Sequence, residues 1–273
     1  MQALRLMTSG GAITAITDLP LRMPQVGGEI DPEPFRVAAA GGAPLRDAMA
    51  TCGPLRTLHL LPGQRAELFG LTGSRVTFVL AGRVKIAAGT EVAAALDPGD
   101  MVLTDEALPA SAYRTVGECR LLQLAVDPGW PGEKARPVPP VVAVPRESPP
   151  NFRRMYEGAD GRSYFRLFTE LFAAPGAWSR ELPVAGLRFV GMSKGTFIDW
   201  HPEVTNNLAI VLAGALELET GGGIGERQVF GPGDVCLAED RTGEGHIDRV
   251  RAGAQVAILT IDDRHLWPVA AGR

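Results

Sequence analysis

The sequence predicts an all-β fold written twice, two small barrels of short strands joined in tandem. Ordered matches between the two halves are the first observation. Leu55-Arg56 matches Leu187-Arg188, Gly63 matches Gly195, and Val79-Leu80-Ala81-Gly82 matches Val211-Leu212-Ala213-Gly214, all at an offset of 132. Pro98-Gly99-Asp100 then matches Pro232-Gly233-Asp234 at 134, and Val116-Gly117 matches Ala252-Gly253 at 136. Self-similarity kept in order along the chain marks a duplication. The second observation is composition: 33 Gly and 22 Pro among 273 residues, without a collagen-like period, set many tight turns between short strands. The third is the proline-dense stretch from Pro128 to Pro150, which excludes helix and central strand and serves as an extended connector.

These observations set the domain boundaries at 1–127, a linker at 128–150, a second domain at 151–263 and a tail at 264–273. Strands are expected near 55–62, 76–87, 118–126, 187–194, 208–219 and 254–261. Thr77-Phe78-Val79-Leu80 and Val256-Ala257-Ile258-Leu259 are short apolar runs bounded by glycine, as barrel walls require. Ala215-Leu216-Glu217-Leu218-Glu219 alternates apolar and acidic residues, the pattern of a strand with one wet face. Each Pro-Gly-Asp is a turn in which proline fixes the first corner and glycine takes the positive φ. Tyr164, Phe165, Phe168, Leu171 and Phe172 sit at helical spacing, yet the matching stretch Ala12 to Ile16 is β-branched. An extended arm packing on the neighbouring barrel is therefore expected there.

Bulk properties exclude several partner classes. Net charge is −4 and no Lys/Arg-rich block occurs, so no nucleic-acid partner is expected. No run approaches the roughly 18 apolar residues of a membrane helix, and the N-terminal stretch lacks a signal-peptide core. Cys52, Cys119 and Cys236 share no metal-type spacing and read as buried, inert thiols of a cytoplasmic protein.

The most specific pattern is Gly195-x5-His201-x-Glu203-x3-Asn207-x6-Gly214, then Pro232-Gly233-Asp234, then Gly243-x2-His246. It resembles the paired motifs of the cupin superfamily, with two of the four usual ligand positions changed in type. Over roughly residues 150–263 it also resembles a bacterial group of uncharacterised cupins, through Asp199-Trp200-His201-Pro202 and Asp240-Arg241-Thr242-Gly243-Glu244-Gly245-His246. In that group the position of Glu203 is usually a small residue. The resemblance implies a tandem pair of jelly-roll barrels, each a double-stranded β-helix, forming a pseudo-dimer within one chain that is a monomer or homodimer.

It also implies a small-molecule site in the second barrel. Residues two apart on a strand share a face, so Phe197, Asp199, His201 and Glu203 are expected to point inward together. His201, Glu203 and His246 are the expected metal ligands, Asp199 the catalytic base or orienting group, and Asn207 and Phe197 further pocket residues. Two imidazoles and a carboxylate suit iron, manganese, nickel or zinc. A metal-dependent oxygenase or isomerase is one implied function; a non-catalytic binding or sensing module is the other. The first barrel carries Phe69, Leu71, Arg75 and Ala110 at the equivalent positions and holds no metal. There Arg75 is expected to pair with Glu67 or to meet an anion. His59 and His265 have no partner motif.

Overall fold

The computed structural model describes residues 1–9, 12–19, 25–26, 52–64, 73–88, 91–105, 113–127, 130, 149–222 and 224–261. The first copy contributes β1 (Ala3–Ser9), β2 (Ala12–Asp18), β3 (Gln25–Val26), β4 (Cys52–Leu60), β5 (Arg75–Ala88), β6 (Glu91–Leu96), β7 (Met101–Thr104) and β8 (Tyr113–Val126). The second contributes β9 (Phe152–Glu157), β10 (Ser163–Leu167), β11 (Val184–Met192), β12 (Phe197–His201), β13 (Asn207–Gly214), β14 (Leu216–Thr220), β15 (Glu226–Phe230), β16 (Val235–Ala238), β17 (His246–Arg249) and β18 (Ala254–Ile261). A single 3-10 turn, Thr169–Leu171, interrupts this all-β pattern among the described residues.

The duplication is visible in the sheets. One sheet runs β2-β1-β7-β5-β8-β4, with β6 also on β5; another runs β10-β9-β16-β13-β18-β11 and then β3. Position by position the six-strand orders are the same. A third sheet, β12-β17-β14-β15, belongs to the second copy alone among the described residues. The expected strand over 208–219 divides at Gly214 into β13 and β14, which lie in different sheets.

Alternation along the strands sorts side chains into three cores. On β5, Val76, Phe78 and Leu80 face one way; on β13, Leu208, Ile210 and Leu212 do the same, and all six join one cluster between the two large sheets. The interleaved Val79 and Val84 pack with Leu58, Leu60 and Leu121 inside the first barrel. Val211, Leu218, Cys236 and Val256 pack inside the second. Each fully buried Leu or Phe contributes about 1.5–3 kcal/mol of transfer free energy, so the shared cluster binds the two halves firmly.

The two Pro-Gly-Asp turns meet across that shared cluster. A Cβ on Gly99 would lie 2.2 Å from the Leu212 carbonyl oxygen, and one on Gly233 would lie 2.2 Å from that of Leu80. Leu80 and Leu212 are themselves duplicates, so the contact repeats under the pseudo-symmetry. Both glycines have positive φ, +89° and +83°, and no larger residue fits. The following aspartates clamp the start of each copy. Asp100 accepts hydrogen bonds from the amides of Gln2 and Asp97, and Asp234 accepts them from Asn151 and Gly231.

Each copy also lends a short extended segment to the other. Gln25–Val26 pairs parallel with Gly191 and Met192 of β11. In the opposite direction, Leu182 and Leu55 exchange both backbone hydrogen bonds at 2.8 Å, and Ser179 N donates to Thr57 O on β4. The aromatic stripe at 164–172 is extended at first, as β10 on β9, and ends in the 3-10 turn; Phe168 and Leu171 enter the shared core. Cys119 and Cys236 are buried as expected, whereas Cys52 is only partly so, because it lies at the start of β4. Phe69, Leu71, Glu67, Ala110, His265 and most of the proline-rich stretch lie outside the described residues. No helix among the described residues is long and apolar enough to cross a membrane.

Candidate metal centre

The candidate centre lies where β12 and β17 meet in the second barrel. The strands pair antiparallel with His201 opposite His246, and a bulge falls between Ile198 and His201. The ring centroids are 4.4 Å apart. On β17 the period of two puts His246 and Asp248 on one face, toward the interior, opposite Thr220 and Leu218 of β14. Nitrogen atoms of His201 and His246 and a carboxylate oxygen of Asp248 all lie within 4.8 Å of one another. Ligands about 2.1 Å from a common ion sit up to about 4.2 Å apart, so small side-chain adjustments suffice to close the set.

The bulge corrects the expected shared face. An extra residue in a strand reverses the alternation beyond it. Ile198 therefore points inward and is buried, while Phe197 and Asp199 are exposed and His201 turns back toward the interior. Phe197 lies opposite Arg249, whose guanidinium sits 5.4 Å from the ring centroid on the outer side. Asp199 contributes its main-chain carbonyl, which lies 2.8 Å from His201 Nδ1. That bond puts the His201 proton on Nδ1 and the lone pair on Nε2, the state a ligand needs. The Asp199 carboxylate accepts from Trp200 N at 2.9 Å and faces away from the centre.

Glu203 stands beside the centre, close enough to feel the charges of His246, Asp240, Asp248 and His201. Asn207 Nδ2 donates to Glu203 Oε2 at 2.7 Å, and Glu203 N donates to the Asp240 carbonyl at 3.0 Å. Asn207 Oδ1 accepts from the hydroxyls of Thr205 and Thr260, so Asn207 orients Glu203 rather than facing the centre as a ligand. Burial pushes the Glu203 carboxyl up, and the charges of Asp240 and Asp248 add to this against the pull of His246 and His201.

Two carboxylates that the sequence reading missed complete the arrangement. Asp240, 0% exposed, lies 2.8 Å from His246 Nδ1 and accepts from Ser163 Oγ at the same distance. Asp248 Oδ1 stands 3.4 Å from His246 Nε2 yet is buried without a hydrogen-bond partner. Burial alone would depress the His246 imidazole, but Asp240, by charge and hydrogen bond, and then Asp248 hold it well above its ordinary value. Burial would raise Asp248, and the adjoining His246 outweighs it and holds that carboxyl low. Both residues had a sequence signal. Asp248 is two residues from His246 on one strand, and Asp240 opens the run that ends at His246.

Gly245 lets these strands approach. Its φ is +77°, and a Cβ there would fall 2.0 Å from the His201 carbonyl oxygen. The tight passage brings the start of β17 directly against the end of β12.

No family model matches the chain, and no curated protein sequence matches it. Among solved structures the chain is similar to a cupin 2 conserved barrel domain protein from Leptotrichia buccalis, at 12% identity over 76% of this chain and 83% of that one, with a TM-score of 0.39. It is similar to a protein of unknown function from Pseudomonas syringae pv. tomato at 12% identity over 76% and 82%, with a TM-score of 0.37. It is also similar to a variant of Bacillus subtilis oxalate decarboxylase at 15% identity over 78% and 70%, with a TM-score of 0.29. The first of these is a cupin barrel protein, and the chain itself is an all-β pair of jelly-roll barrels.

Proposed function

We propose that the second barrel holds a divalent metal ion on His201, His246 and Asp248, and uses that centre to bind and transform a small molecule. The Oδ1 of Asp248 carries this reading: it is buried without a hydrogen bond beside two imidazoles, 3.4 Å from His246 Nε2, and a cation would satisfy it more fully. Two imidazoles with carboxylates suit iron, manganese, nickel or zinc. A metal in this class of site supplies Lewis acidity or oxygen activation, the chemistry of an oxygenase or isomerase.

The chain's own residues would prepare the centre. Asp240 fixes the orientation and tautomer of His246, and the Asp199 carbonyl does so for His201, each presenting Nε2 inward. Glu203 is the carboxylate placed to take a proton from a bound molecule, since Asn207 holds one of its oxygens and burial makes its carboxylate a stronger base. It thus takes the role expected of Asp199. Glu203 also remains the alternative third ligand. Asp248→Asn and Glu203→Gln separate the two: the variant that loses metal identifies the ligand.

Elemental analysis of untagged protein tests the proposal. About one equivalent of metal per chain, lost in His201→Ala, is the expected result. A second reading rests on His246 standing between Asp240 and Asp248, an arrangement in which the imidazole is paired without any metal. In that case the barrel is a binding or sensing module that grips a polar ligand without turnover. Protein that stays metal-free after incubation with each of the four metals would favour this second reading.

A further inference from the structure

The first barrel carries a constellation of its own, on the strands that correspond to β11, β18 and β13. Arg56 of β4, Gln123 of β8 and Thr77 of β5 lie in one row across the sheet, facing the barrel interior. Arg75 is two residues before Thr77 and shares that face. It occupies the position of Asn207 in the second copy, as Arg56 occupies that of Arg188.

Arg56 is 9% exposed and held rigidly. Its Nε and Nη2 donate to Gln123 Oε1 at 3.0 and 2.6 Å, and its guanidinium lies 3.7 Å from the Trp178 ring centroid. Arg75 is partly buried, and its Nε and Nη1 are enclosed with no hydrogen-bond partner. Burial, and then the charge of Arg75, pushes the Arg56 guanidinium down to about 10. Glu181, on the segment lent by the second copy, favours both charges through space but forms no ion pair with either among the described residues. Two guanidiniums close enough to repel, that of Arg75 with unmet donors, leave a deficit of negative charge among the described residues, and guanidinium pairs with oxyanions specifically.

We propose that the first barrel binds a small oxyanion, a carboxylate or phosphate group, between Arg56 and Arg75. The two barrels thus serve opposite charges: a cation in the second and an anion in the first.

Calorimetric titration of the full chain with inorganic phosphate and, separately, malonate tests this. Saturable binding of at least one probe is expected, weakened about tenfold or more by Arg75→Met and unchanged in His201→Ala. Response to malonate alone identifies a carboxylate site, and response to phosphate alone a phosphate site. Arg75→Lys keeps the charge and loses the planar fork, so intermediate weakening in a folded variant supports the assignment should Arg75→Met not fold. No saturable binding of either probe, or binding lost in His201→Ala and kept in Arg75→Met or Arg75→Lys, would overturn it.

Discussion

The buried Asp240 carboxylate lies 2.8 Å from His246 Nδ1, and the pair is anchored by Ser163 on β10. This relationship sets which imidazole nitrogen faces the centre. Asp240→Asn preserves the shape and removes the charge. Metal affinity should fall about 10- to 100-fold, as it does when carboxylates supporting ligand histidines are lost. Competition against a chromogenic chelator measures it, and unchanged affinity would show that Asp240 does not act through His246.

Asp199→Ala should leave metal content unchanged. The side chain is exposed, and only the main-chain carbonyl touches His201. Loss of metal in this variant would mean that the bulge in β12 does not turn Asp199 outward.

Gly245→Ala should be strongly destabilising. A left-handed backbone costs a non-glycine residue about 1–3 kcal/mol, and the added Cβ would also collide with the His201 carbonyl oxygen. Urea unfolding of the purified variant checks this, with Gly225→Ala as a control whose Cβ has 3.6 Å of clearance at similar φ.

Phe78→Ala should cost about 3–5 kcal/mol, the usual range for deleting a buried aromatic ring. Phe78 is 0% exposed in the core shared by the two sheets, remote from the β12–β17 face. The variant should unfold at lower denaturant while its folded form keeps its metal.

Native thiols should resist alkylation at neutral pH. Burial, followed by Asp127, pushes Cys52 up to about 12; burial pushes Cys119 up to about 12 as well, and holds Cys236 well above its ordinary value. The thiolate is the reactive form, so labelling should appear only as the chain unfolds. Rapid labelling of Cys52 in folded protein would contradict its partly buried place at the start of β4.

The fold was legible because duplication and turn chemistry are local. The 132-residue offset and the Pro-Gly-Asp pair anticipated two matched sheets, and the structure adds why those turns repeat: each glycine packs on the other copy's backbone. The centre was legible in part. Spacing singled out His201 and His246, whose nitrogens lie together with an Asp248 oxygen, and Glu203, which is close enough to feel both charges. Phe197 and Asp199 were misplaced because strict alternation from His201 ignores a bulge, and nothing in Ile198-Asp199-Trp200 signals one. Alternation from His246 would have found Asp248. An arm packing on the neighbouring barrel was expected, but the backbone pairing of Gln25–Val26 and of Leu182 with the other copy was not, since it depends on long-range pairing rather than on local pattern.

The most direct measurement is a crystal structure collected at the absorption edge of the metal present in the purified protein. An anomalous peak among His201 Nε2, His246 Nε2 and the Asp248 carboxylate is the predicted result. Ordered His201 and His246 with no peak between them, in protein grown with metal in excess, would contradict a metal centre in the second barrel.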